Sequence, residues 1–250
     1  MTRMRTTLIA AVALLAMPAF AYRPFDGTDG DVAEEGRFEL ELGPAQYVKR
    51  PDGRSLAAPA TVLNLGFEED TELVIDFKNF VALDRTPGQS RMRLLDTDIM
   101  IKRILRRGSL QGESGVSMAI EAGPLLPELN GMNAWGAEAN LITSYRWSAL
   151  SLHLNTAVAL TREHNLDTFA GLIVEGPHRW AVRPVAEIFT EREVSADRSY
   201  SALAGAIWEV TDGFAVDAAV RYAAETQTNE VEFRFGLTWG VPLWQEGKSK

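Results

Sequence analysis

The chain has 250 residues, no cysteine and a formal net charge of −9. The absence of thiols excludes a disulfide framework and a thiolate metal site, and the acidic balance excludes the basic footprint that nucleic-acid binding requires. Apolar residues make up 46% of the sequence. Past the N-terminus, though, charge interrupts every apolar run before the roughly 20 residues of a membrane-spanning helix.

In chain order, the first readable segment is Met-Thr-Arg-Met-Arg followed by an apolar run from Leu8 to Ala16, then Pro18 and Ala19-Phe20-Ala21. A basic start, a short apolar middle and small residues at an Ala-x-Ala site describe an export signal over residues 1–21. Cleavage after Ala21 leaves 229 residues with a net charge of −11, because Arg3 and Arg5 are lost. Residues 22–35 read as an irregular lead on the periplasmic side, with Gly27, Gly30 and five acids.

From residue 36 to residue 244 apolar and polar residues alternate, and a strand has a side-chain period of two. The last run is the clearest. Val231, Phe233, Phe235, Leu237, Trp239 and Val241 share one face, and Glu232, Arg234, Gly236, Thr238 and Gly240 share the other. Twelve strands are predicted, at about 36–43, 60–67, 71–79, 91–105, 115–123, 135–147, 150–162, 167–175, 180–190, 200–210, 214–223 and 230–242, with ten or fourteen as alternatives. A tail of residues 245–250 follows.

The connections after the second, sixth, eighth and tenth strands are short, and most of the others are longer. Pro44 to Pro59 and Thr190 to Ser199 are examples of the longer ones. Two connections break the rule: Arg106 to Ser114 is too long, and Glu163 to Leu166 too short. Phe67, Trp147, Trp180, Trp208 and Phe214 cluster near the short turns, as an interfacial girdle would. The fold expected is therefore all-β: an antiparallel up-and-down transmembrane β-barrel with short periplasmic turns. The competing reading is a soluble sandwich whose aromatics are ordinary core.

A cation at mid-bilayer on the lipid face costs roughly 2–4 kcal/mol, so the charges must point inward. The expected lumen wall is Glu39, Glu41, Asp76, Lys78, Asp96, Asp98, Lys102, Glu138, Arg146, His153, Arg183, Glu187, Asp217, Arg221, Glu232 and Arg234. Glu72, Asn140 and Asn155 fall on the same face, while the eighth and tenth strands fit either way round. These charges either pair into a plug or line a narrow passage.

Chemistry is sparse. His153, His164 and His178 have no metal spacing, and no nucleophile elbow, phosphate loop or dinucleotide fingerprint occurs. Neither an enzyme nor a cofactor is expected. Ser151, His153 and Asn155 share a strand face, like the Ser/His/Asn set of an outer-membrane phospholipase. That face is opposite the leucines and so cut off from lipid. Asp96 and Asp98 are an acid–base pair only in principle, and a charged wall fits them better.

The mature N-terminus carries Arg23-Pro24, Asp26-Gly27-Thr28-Asp29, an acidic stretch, then Gly36-Arg37-Phe38-Glu39-Leu40-Glu41. This resembles the family of bacterial outer-membrane transporters of the phenol-degradation (MetA-pathway) type. The resemblance implies an outer-membrane barrel without a settled substrate and assigns no site residues. The chain departs from that pattern at its end, where Trp244 is followed by Gln245-Glu246-Gly247-Lys248-Ser249-Lys250. The expected location is the bacterial outer membrane. The partners expected are its lipid, the barrel-assembly machinery and a small hydrophobic or cationic solute, which net acidity inside would favour over anions.

Overall fold

The computed structural model describes residues 23–84, 91–194, 198–225 and 228–244. The export signal and the C-terminal tail lie outside these residues. Twelve strands succeed one another: β1 (Arg37–Arg50), β2 (Gly53–Glu68), β3 (Thr71–Ala82), β4 (Met92–Arg106), β5 (Ser117–Leu125), β6 (Gly136–Arg146), β7 (Ser151–Leu160), β8 (Leu166–Glu175), β9 (Val182–Glu193), β10 (Arg198–Thr211), β11 (Phe214–Ala224) and β12 (Asn229–Pro242). Each pairs antiparallel with its sequence neighbours, and β12 returns to β1, so the sheet closes as a barrel. Closure removes the unpaired edges that an open sheet would present, and it rules out the sandwich.

Alternation sets the two faces. On β12, Phe235 is 51% exposed, whereas Arg234 beside it is 8% exposed. The same division holds along β7, where Leu154, Val158 and Leu160 face out and His153 and Asn155 are buried. Exposed Phe67, Trp147, Trp180, Trp208 and Trp239 ring the short-turn end, with Phe214 paired to Trp239 half-buried among them. Exposed Tyr200 and Tyr222 stand toward the other end.

The first hairpin corrects the sequence reading. Pro44 to Pro59 is not a loop. β1 and β2 continue through it and turn only at Pro51-Asp52. Pro44 and Pro59 both sit at register breaks, between Leu42 and Ala45 on β1 and between Ala57 and Ala60 on β2. A bulge is where a strand tolerates a residue without an N–H, so the prolines mark kinks and not strand ends. Likewise β9 and β10 extend into the supposed Thr190–Ser199 loop.

The ambiguous strands are also settled. Ile173 on β8 and Leu203 and Ile207 on β10 are buried, and Ile207 packs with Val185 and Ala215 against Phe25 of the lead. The overlong connection after β4 has a use as well. It folds back as a 3-10 turn over Ser109–Gln111 with Leu110 buried.

Candidate functional site: the lumen

The lead runs inside the barrel. Its backbone donors are received by lumenal side chains, which act as the sheet partner the segment lacks. Glu187 accepts the N–H groups of Asp26 and Gly27, each at 2.8 Å. Asn155 accepts from Thr28 N at 3.0 Å and donates back to Thr28 O at 2.8 Å. Ser144 Oγ accepts from Gly30 N at 2.9 Å, and Glu72 accepts from Ala33 N at 2.6 Å. Gln111 of the inturned connection donates to Gly30 O and to Asp31, both at 3.0 Å.

Charges fasten both ends. Arg23 Nε lies 3.5 Å from Asp217. Arg234 donates to Pro24 O at 2.6 Å and to Asp26 at 3.0 Å. Burial opposes ionisation of Asp26, but the guanidiniums of Arg234 and Arg221 outweigh it and hold the carboxyl below its ordinary range. Further along, Lys102 Nζ lies 3.3 Å from Glu72 and 3.5 Å from Asp29. Two glycines make room. A Cβ on Gly236 would fall 2.2 Å from Arg23 Nε, and one on Gly66 would fall 2.1 Å from Glu34 O. The second meets backbone and no rotamer change relieves it; the first would push the Arg23 and Asp217 side chains out of their ion pair.

A cavity of about 1430 Å³ remains beside the lead. Its lining reaches from Glu69, Asp70 and Arg107 at the short-turn end to Arg50, Phe80, Arg162 and Glu191 at the other. Among the described residues nineteen carboxylates and nine cationic groups line it. The cations are largely engaged: Lys78 lies 3.2 Å from Asp96, Arg221 bonds Glu232 at 2.8 Å and also Glu230, and Arg234 bonds Glu232 at 2.9 Å. Asp76, Asp98, Glu121 and Glu138 line the wall formed by β3 to β6, with Asp76 and Asp98 directly opposite each other. Beneath them Val62, Val74, Met100 and Leu125 form an apolar patch.

Eleven of the sixteen residues expected on the lumen wall border this space: Glu39, Glu41, Asp76, Lys78, Asp96, Asp98, Lys102, Glu138, Arg221, Glu232 and Arg234. The other five lie off it. Glu187 and Asp217 are taken up by the lead. Arg183 bonds Glu209 and approaches Glu175 at 3.4 Å, and Arg146 holds Ser109 Oγ through its backbone N–H at 2.8 Å. His153 sits between Ser144 Oγ (2.8 Å) and Glu175 (3.3 Å).

That Ser144–His153–Glu175 chain has the order of a nucleophile, base and orienting acid, and it replaces the Ser151–His153–Asn155 grouping expected from spacing. Ser144 is 1% exposed and roofed by Gly30, so no substrate reaches it, and its geometry serves to anchor the lead. Sequence spacing missed it because Ser144 and His153 meet across two strands. Glu121 was also missed, although its place between Ile120 and Ala122, with Ala119 and Gly123 on its own face, carried the signal.

No protein-family model matches the chain, and no curated protein matches its sequence. Among solved structures, an outer-membrane channel from Pseudomonas putida F1 superposes with a TM-score of 0.64 at 8% identity, covering 86% of this chain and 98% of that one. The KdgM porin in complex with disordered oligogalacturonate superposes with a TM-score of 0.54 at 10% identity, covering 80% and 98%. The fold is thus that of outer-membrane channel barrels.

Proposed function

We propose that this protein is an outer-membrane channel that passes a small cationic or neutral solute through the passage beside the N-terminal lead. The supporting observation is a cavity whose lining reaches from one end of the barrel to the other, with carboxylates outnumbering cationic groups nineteen to nine among the described residues. A narrow aqueous path walled by low-dielectric sheet focuses such a charge excess, raising the local concentration of cations and repelling anions. The apolar patch of Val62, Val74, Met100 and Leu125 gives a solute with a hydrocarbon body a place to slide. The likeness to phenol-degradation-type transporters rests on the N-terminal motif and agrees with such a solute.

The test is reconstitution of the folded barrel in planar bilayers under a salt gradient. The expected result is stepwise conductance with a reversal potential on the cation side. Replacing Asp76 and Asp98 with Asn and Glu121 with Gln moves that potential toward zero. A folded barrel that stays silent under voltage favours instead a closed structural barrel, in which the lead and its ion pairs are a permanent plug.

A further inference from the structure

The outer wall carries a feature that the passage does not use. Arg192 on β9 and Arg198 on β10 are direct cross-strand partners. Both are exposed, and alternation places them on the face of Ile188 and Tyr200, away from the lumen. Like charges directly opposite each other on a sheet repel. Among the described residues no carboxylate pairs with either.

Their depth is fixed by β10 itself. Tyr200 and Trp208, both exposed, belong to the two aromatic belts. Eight residues separate them, about 26 Å along the strand and roughly 20 Å across a bilayer at the usual barrel tilt. That is close to the apolar band of an outer-membrane barrel. Arg198 stands two residues beyond Tyr200, at the level of lipid phosphates on the side of the longer loops. Past Tyr200 the outward face of β10 itself turns shallow, in a strip bordered by Ile188 on one side and Tyr222 on the other. Ala202, Ala204 and Ala206 follow down β10, with Ala204 opposite Ala186 and Ala206 opposite Ala218. A hydrocarbon chain can lie in such a strip without a large side chain pushing it off the wall.

We propose that Arg192 and Arg198 clamp a phosphate of lipid A, the phosphorylated lipid of the outward leaflet, with its acyl chains along the alanine strip. Two planar guanidiniums offer the forked donors that match phosphate oxygens, and the anion turns their mutual repulsion into attraction. The assignment rests on the outer-membrane reading above, because only that orientation brings this end of the barrel to the outer leaflet.

The experiment uses the folded barrel in detergent, titrated with diphosphorylated lipid A and read by native mass spectrometry and thermal melting. We expect one tightly held lipid A, with affinity falling about tenfold or more in the R192Q/R198Q double variant. Dephosphorylated lipid should give a similar loss, and Ala204→Phe should weaken binding by blocking the strip. Equal retention by wild type and the double variant overturns the proposal. So does equal stabilisation by inorganic phosphate alone, which would leave only free-anion binding, or by phosphatidylglycerol, which would remove the selectivity for lipid A. A dimer formed across the alanine strip in place of bound lipid also overturns it. Bilayer conductance of the same double variant separates this failure from failure of the channel reading: the channel persists if only the lipid site is wrong.

Discussion

The two sides of the lumen are built from the same residue types and behave as opposites. On the side of β6 to β12, Glu187, Asn155, Ser144, Asp217 and Arg234 each have a partner in the lead. On the side of β2 to β5, carboxylates such as Asp76 and Asp98 face open volume and one another. The difference teaches that inward charge in a barrel has no fixed meaning. Whether it serves as mortar or as pathway depends on whether a second segment arrives to neutralise it.

The strongest way to break the comparison is to remove the segment. Deleting Arg23 to Glu35 should merge the two sides, raising single-channel conductance severalfold while lowering the unfolding temperature. Conductance equal to that of the intact chain would mean that the lead obstructs nothing. Next in size is Asp217→Asn, which leaves the Arg23 guanidinium buried without its counter-ion. Breaking a buried pair from one side costs about 3–5 kcal/mol, to be read by urea unfolding in vesicles. A loss under 1 kcal/mol would place Arg23 outside its pocket.

Ser144→Ala removes the acceptor of Gly30 N–H and the partner of His153. It should cost about 1–3 kcal/mol, the penalty for an unsatisfied buried group. Ester and phospholipid hydrolysis should be absent before and after the change, and activity that disappears with Ser144 would revive the enzymatic reading. The smallest effect belongs to the open side. Asp98→Asn relieves the repulsion with Asp76 and should raise stability by about 0.2–1 kcal/mol, the reverse of Asp217→Asn, while reducing cation preference. A loss as large as that of Asp217→Asn would erase the distinction between the sides.

Much of this arrangement was legible from residue order. The run from Val231 to Val241 announces its two faces because pleating turns every second side chain the same way, and the count of twelve strands follows from repeating that pattern between turns. The kinked hairpin was not legible, since Pro44 and Pro59 read as loop residues until a facing bulge shows where a missing N–H does no harm. Ile173, Leu203 and Ile207 were undecided for a similar reason. An apolar residue suits lipid outside and Phe25 inside equally well, and only closure around the lead distinguishes the two.

The amino-acid order by itself determined the period, the faces and the gathering of ionised groups within a closed sheet, because these follow from local geometry and from the cost of charge in hydrocarbon. Tertiary structure alone decided that the lead enters the barrel, that Ser144 and His153 meet, and that among the described residues no ion pair closes on Asp76, Asp98, Glu121 or Glu138, which line the passage. Those facts depend on contacts between residues as far apart in the chain as Asp26 and Glu187, whose meeting no local pattern encodes.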